Sequence, residues 1–231
     1  MPVRVLKKPG RPSDPQHCAR RRDEILDAAL LLFAQRGYLQ TEMQDLADKV
    51  GVGKGTLYRY FPSKDSLFLA AADRVMVRLR EAVDTAIADV ADPLKRVEQA
   101  IRSFLQFFSE RPERVEILFQ ERAHFKDRKK PTLLQHREVN VERWRAHYRG
   151  LMAQGRLRQM PIDRVSDVIG DLLYGTIFSN YFTGPRKSFD VQATDMVDVI
   201  FSGILSAEES EKRGQDAKVG CTSSAKDASH Q

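Results

Sequence analysis

Residues Thr41 to Phe61, TEMQDLADKVGVGKGTLYRYF, decide the fold of this chain. Thr41 and Gln44 have the S/T-x-x-E/Q spacing of a capping box, which would satisfy free N–H groups at a helix start. Leu46, Ala47 and Val50 fall on one face of a short amphipathic helix. Gly51 follows, the residue best able to take the left-handed conformation just past a helix end. A second helix is expected through Lys54–Tyr60, with Leu57 and Phe61 four apart on its inner side and a basic, aromatic face outward. Helix, glycine turn and second helix make a helix-turn-helix, a motif whose second helix enters the DNA major groove.

This stretch, together with RRRDEILDAALLLFAQRGY (Arg20 to Tyr38) before it and the continuation GVGKGTLYRYFPSKDSLF to Phe68, resembles the TetR family of bacterial transcriptional regulators. The resemblance implies an all-α chain in which a three-helix DNA-binding unit is joined to a helical domain that binds an effector and dimerises. The chain departs from the family at position 53, where Gly53 replaces the usual Ser or Thr. Glycine caps a helix almost as well, at a cost of roughly a few tenths of a kcal/mol, but it offers no side chain to a phosphate.

Charge distribution agrees with a nucleic-acid partner. Of the formal +6, all is carried by residues 1–22, which hold Arg4, Lys7, Lys8, Arg11 and Arg20 to Arg22 against Asp14 alone. The remainder of the chain is neutral. A basic arm before a neutral body suits DNA binding, although a charge run by itself also describes a solvated tail. Gly10-Arg11-Pro12 has the form of a minor-groove hook. The 231 residues can bury a core without staples. Cys18 and Cys221 lie in polar stretches and suggest neither a disulfide framework nor a metal site. No apolar run has membrane-spanning length, and no apolar segment follows the basic start as a secretory signal would require. A soluble, cytoplasmic protein is expected.

The expected division is a basic, disordered arm (1–18), a DNA-binding domain (19–79, with the helix-turn-helix at about 42–61), an effector and dimerisation domain (80–207) and a disordered tail (208–231). A first helix over 16–36 buries Ile25, Ala29, Leu32 and Phe33, and Gly37 ends it. Ser63 caps a long helix over 64–91, one rod reaching both halves. Asp92-Pro93 starts the next helix, with Phe104 and Phe108 on its apolar side. A short helix follows, then KDRKK (126–130) as a solvated loop, and Pro131-Thr132 opens a helix carrying Trp144 and Tyr148. Two final helices, over 162–182 and 190–207, have wide apolar stripes with Gly170, Gly175 and Ser179 interleaved. By resemblance they would dimerise the chain as a four-helix bundle; periodicity alone fits an intrachain core equally well.

The residues expected to meet DNA are Thr41, Lys54, Gly55, Thr56, Tyr58, Arg59, Tyr60, Lys64 and, from the arm, Arg11. Thr41 would offer its hydroxyl and N–H to a phosphate, Lys54 and Arg59 a base edge or phosphate, and Thr56 a thymine methyl. Gly55 permits close backbone approach, the hydroxyls of Tyr58 and Tyr60 suit phosphates, and Lys64 matches a phosphate-contacting lysine of the family. The effector is expected among Phe104, Phe107, Phe108, Phe119, Phe125, Trp144, Tyr148, Tyr174 and Phe178, with His124, Arg122 and Asn180 as polar anchors. Gly51-Val52-Gly53-Lys54-Gly55-Thr56 superficially resembles a phosphate loop, but the G-x-x-x-x-G-K-[ST] spacing and the preceding strand are missing.

No nucleophile–base pair or H-E-x-x-H pair appears, so neither an enzyme nor a metal or other cofactor is expected. The resulting expectation is a homodimeric repressor on a palindromic operator, its recognition helices about 34–36 Å apart and released by a small molecule. An effector-free architectural DNA-binding protein and an activator are the alternatives.

Overall fold

A computed structural model describes residues 15–203, which form nine α-helices and no strand. Arg11, the rest of the arm through residue 14, and the tail beyond 203 lie outside the described residues.

The first three helices build one unit. Helix α1 (Pro15–Gln40) is interrupted at Gly37, whose φ of 82° and ψ of 159° are non-helical, so a single turn follows the break. A positive φ of this kind is strained for residues with a Cβ. Ile25, Leu26, Ala29, Leu32 and Phe33 are buried on its inner face. Helix α2 (Met43–Val50) ends at Gly51 in the left-handed conformation, φ 66°. The Gly51 and Val52 N–H groups there close onto the carbonyls of Asp48 and Ala47 at 3.2 and 2.9 Å, as a left-handed cap requires. Helix α3 (Lys54–Tyr60) is seven residues long and is anchored by fully buried Leu57.

The capping box is not at Thr41 and Gln44. Helix α2 has Glu42 at its N-cap with no side-chain cap bond, and the Gln44 amide donates to Asp48 instead. Thr41 is buried and its hydroxyl donates to the Gly37 carbonyl at 2.8 Å. The reason is local: the break at Gly37 frees α1 carbonyls, and Thr41 is the nearest donor. The true capping box is Ser63 with Ser66, at the start of α4 (Lys64–Ile87).

Helix α4 is about 36 Å long at 1.5 Å per residue. Leu67, Phe68, Ala71, Ala72, Val75, Met76, Leu79 and Val83 are buried along it. It packs against α1 near its start and against α5 (Pro93–Glu110) and α7 (Thr132–Ala153) farther along. Asp92 caps α5 by accepting from the Leu94 and Lys95 N–H groups. Helix α6 (Glu113–His124) packs directly on α1, a second link between the halves that the periodicity does not reveal. Helices α8 (Ile162–Thr183) and α9 (Phe189–Ser202) complete the fold, α9 lying on α5 and α8 on α7, α5 and α6. One continuous hydrophobic cluster runs from Ile25 in α1 to Met196 in α9.

KDRKK is more than a solvated loop. Arg128 reaches back 2.5 Å to the buried carboxylate of Glu121, which also accepts from the Thr132 N–H and hydroxyl at 2.9 and 3.0 Å. A carboxylate this buried needs those donors, and Arg128 is positioned by that demand.

Candidate nucleic-acid interface and ligand cavity

Helix α3 turns Leu57 inward and leaves Lys54, Gly55, Tyr58 and Arg59 exposed. Lys54 with Tyr58, and Gly55 with Arg59, are four residues apart, so they form two adjacent rows on the outer face. None of the three side chains Lys54, Tyr58 and Arg59 makes a hydrogen bond or ion pair among the described residues. Thr56 is half-buried at the edge of this face. Gly53 caps the helix through its backbone alone, and a Cβ built at Gly53 or Gly55 would meet nothing within 4 Å. The surface in front of α3 is therefore open to close approach.

Three expected contacts sit elsewhere. The Thr41 hydroxyl faces into the protein and is not available to a phosphate. Tyr60 is half-buried against the core rather than outward, because it lies three residues after Leu57 and shares its side. Burial and a hydrogen bond with the Cys18 thiol of α1 push its hydroxyl pKa upward. Lys64 donates to the Leu39 carbonyl at 3.1 Å and lies 4.7 Å from the centre of the Tyr38 ring. Its ammonium thus fastens the last turn of α1 to the start of α4.

Tyr38 is the centre of that junction. Its ring meets Phe33, Phe68, His124 and Phe125, and its hydroxyl bonds to Asp65. Burial, then the Asp65 carboxylate, pushes the phenol up to about 12. Beside it, the buried Gln120 amide donates to the Phe33 carbonyl at 2.9 Å and to Glu116 at 2.7 Å. The other Glu116 oxygen accepts from Tyr181 of α8. This chain of bonds connects α8 through α6 to α1.

A cavity of about 140 Å³ lies between α4, α5, α7 and α8. Of the expected effector residues, Phe104, Trp144, Tyr148 and Tyr174 line it. Phe108, Phe119, His124 and Phe178 do not. Phe108 packs on Phe104 and Phe107, and Phe119 on Phe178, Tyr181 and Phe182. His124 and Phe125 belong to the Tyr38 junction, Arg122 bonds to the Lys126 carbonyl, and Asn180 to Gln192. The expected aromatic set thus divides between the cavity and the packed core, because which helix face each ring occupies follows from packing. The polar groups lining the cavity are instead Arg80, Asp84, Arg137, Asn140, Arg143 and Ser166. Arg137, Asn140, Trp144 and Tyr148 recur at helical spacing along α7, a signal visible in sequence once polar residues are counted with the aromatic ones. Burial pushes the Tyr174 phenol up to about 12 and raises that of Tyr148 further.

Residues 25–71 match the bacterial regulatory proteins, tetR family. The chain is 33% identical to the HTH-type transcriptional activator FasR of Mycolicibacterium smegmatis over 43% of this chain and 46% of that one. It is 37% identical to the HTH-type transcriptional repressor KstR of Mycobacterium tuberculosis over 42% of this chain and 43% of that one. The chain thus spans less than half the length of these two curated relatives. The nucleoid occlusion factor SlmA of Aliivibrio fischeri is 28% identical over 76% of this chain and 89% of its own. Among solved structures, the TetR family regulator PfmR of Thermus thermophilus superposes with a TM-score of 0.64 at 25% identity, covering 79% of this chain and 99% of that one. The relatives are regulators and not enzymes, and no helix among the described residues is long and apolar enough to cross a membrane. Residues 25–71 thus carry the helix-turn-helix region of the bacterial regulatory proteins of the tetR family, set on a helical body that superposes on that of the TetR family regulator PfmR.

Proposed function

We propose that the chain is a cytoplasmic transcriptional repressor that binds a palindromic operator as a homodimer and is released by a small apolar molecule. Residues 19–79 would read DNA, and residues 80–207 would bind the effector and the second subunit. The observation that carries this reading is the outer face of α3, where Lys54, Tyr58 and Arg59 are exposed beside Gly55 with no hydrogen bond or ion pair among the described residues. Side chains held this way on a buried anchor suit base edges and phosphates in a major groove.

An exposed stripe on α8 supports the dimer. Val168, Leu172, Gly175, Ser179 and Phe182 recur at spacings of four and three, and Val168 and Phe182 are 58% and 69% exposed. A 4-3 repeat is the seam of packed helices, and the small residues at its middle permit close approach. The apolar cavity supports an effector. A ligand that favours one arrangement of α4 and α6 would change the spacing of two recognition helices, by no more than its differential affinity for the two states. KstR is named a repressor and FasR an activator, so both outcomes occur among the relatives.

Footprinting on the region upstream of its own gene tests the reading: a protected two-fold site is expected, and only salt-sensitive, sequence-independent binding would remove it. The likeness along most of its length to a protein named a nucleoid occlusion factor favours a second reading, a nucleoid-acting factor in place of a ligand-released repressor. A protected site whose affinity no cavity ligand alters would select it.

A further inference from the structure

The polar groups around the cavity are unequally satisfied. Arg143 is held by Asp84 and Arg137 by Asp171 at 2.8 Å. Arg80, at the α4 side, has no ion-pair partner among the described residues. The Tyr148 and Tyr174 hydroxyls and the Trp144 indole N–H likewise have no hydrogen-bond partner among the described residues, and all three residues line the cavity, Tyr148 buried and the other two half-buried. Three guanidiniums and one carboxylate line the cavity, and that carboxylate is taken by Arg143. What remains around the apolar space is one unpaired charge, the Arg80 guanidinium, which only donates, with hydroxyl, indole and amide groups beside it, so a ligand that carries a negative charge suits the lining.

Size narrows the ligand further. The cavity of about 140 Å³ compares with an engineered one of about 150 Å³ that holds benzene. Arg80, Asp84, Asn140 and Arg143 are shared with an adjoining, more open cleft of about 500 Å³ between α4 and α7. An apolar body the size of one ring can fill the inner space while its head group lies in the cleft beside Arg80. Glu81 also lines that cleft and would favour a cationic head, so charge must be tested in both signs.

We infer that the cavity takes a small apolar monocarboxylate, its body among Phe104, Trp144, Tyr148 and Tyr174 and its carboxylate against the Arg80 guanidinium. This rests on the effector reading above and names the chemical class of the effector.

The test is calorimetric titration of the full chain with three probes on one skeleton, 3-phenylpropionate, 3-phenylpropan-1-ol and 3-phenylpropylamine. The carboxylate is expected to bind about tenfold tighter than the alcohol, and Arg80→Gln to abolish that preference while the alcohol's affinity holds. Ala100→Phe, which fills the inner space, is expected to eliminate binding of both. Equal or tighter binding of the alcohol or amine, no binding of any probe, or a preference that survives Arg80→Gln would overturn the inference. If the carboxylate binds through Arg80 yet leaves operator affinity unchanged, the ligand class stands and the effector reading falls.

Discussion

The outer face of α3 and the helical body behind it are both rich in cations, and they use them in opposite ways. In the body, Arg102, Arg137, Arg143, Arg145 and Arg156 face Asp190, Asp171, Asp84, Asp163 and Asp92 across helix boundaries. Each such exposed pair contributes about 0–1 kcal/mol at most, but together they fix helix registry. On α3, Lys54 and Arg59 make no hydrogen bond or ion pair among the described residues. Arginines that tie helix to helix are paired within the fold, whereas Lys54 and Arg59 lie without an ion pair on an open helix face. The same contrast appears beside the cavity, where exposed Arg80 has no ion pair among the described residues.

Substitutions that separate folding from binding put this contrast at risk. The largest effect is expected from Leu57→Ala, which empties the fully buried anchor of α3 and should cost about 2–5 kcal/mol in urea denaturation. Loss of DNA binding there would follow from loss of structure. Leu172→Asp, in the exposed α8 stripe, should weaken dimerisation by about 2–4 kcal/mol, read by light scattering across a dilution series. An unchanged dimer would move the seam off α8.

Arg59→Ala and Lys54→Ala should each cost about 1–3 kcal/mol in operator affinity and leave stability within about 0.5 kcal/mol. A comparable loss of stability would mean that these cations are structural after all, and the contrast would fail. Gln120→Leu removes the bond to the Phe33 carbonyl and should cost about 1 kcal/mol, with faster hydrogen exchange at the α1–α6 contact. The smallest effect is a gain: Gly53→Ser has room for its Cβ and should add roughly a few tenths of a kcal/mol to stability as an N-cap. Thermal unfolding measures it, and no gain would show that the Gly53 backbone already caps α3 fully.

Much of this was legible from local pattern. The helix order, the breaks at Gly37 and Gly51, the Asp92-Pro93 start and the buried pair Leu57 and Phe61 each follow from spacing and capping chemistry. The outward placement of Lys54, Tyr58 and Arg59 was legible, because a short helix with one buried anchor leaves little freedom for the others. Thr41 and Tyr60 were not, since both are residues with two chemically sensible uses. Thr41 suits a phosphate or an orphan carbonyl, and Tyr60 suits solvent or a packed edge beside Cys18. The effector set divided for the same reason: Phe104 and Phe119 have the same chemistry, but only Phe104 faces the cavity.

The sequence by itself determined what is local: where helices begin and end, which face of each is apolar, and that the helix after Gly53 carries cations outward. Hydrogen-bonded turns and helical periodicity act over a few residues, so they are written in consecutive letters. The tertiary structure decided which cations are paired, that α6 reaches α1 through Gln120, and which aromatic rings enclose a space rather than fill one. Those outcomes depend on residues tens of positions apart meeting in a packed core, and no local pattern encodes which of several equivalent partners arrives.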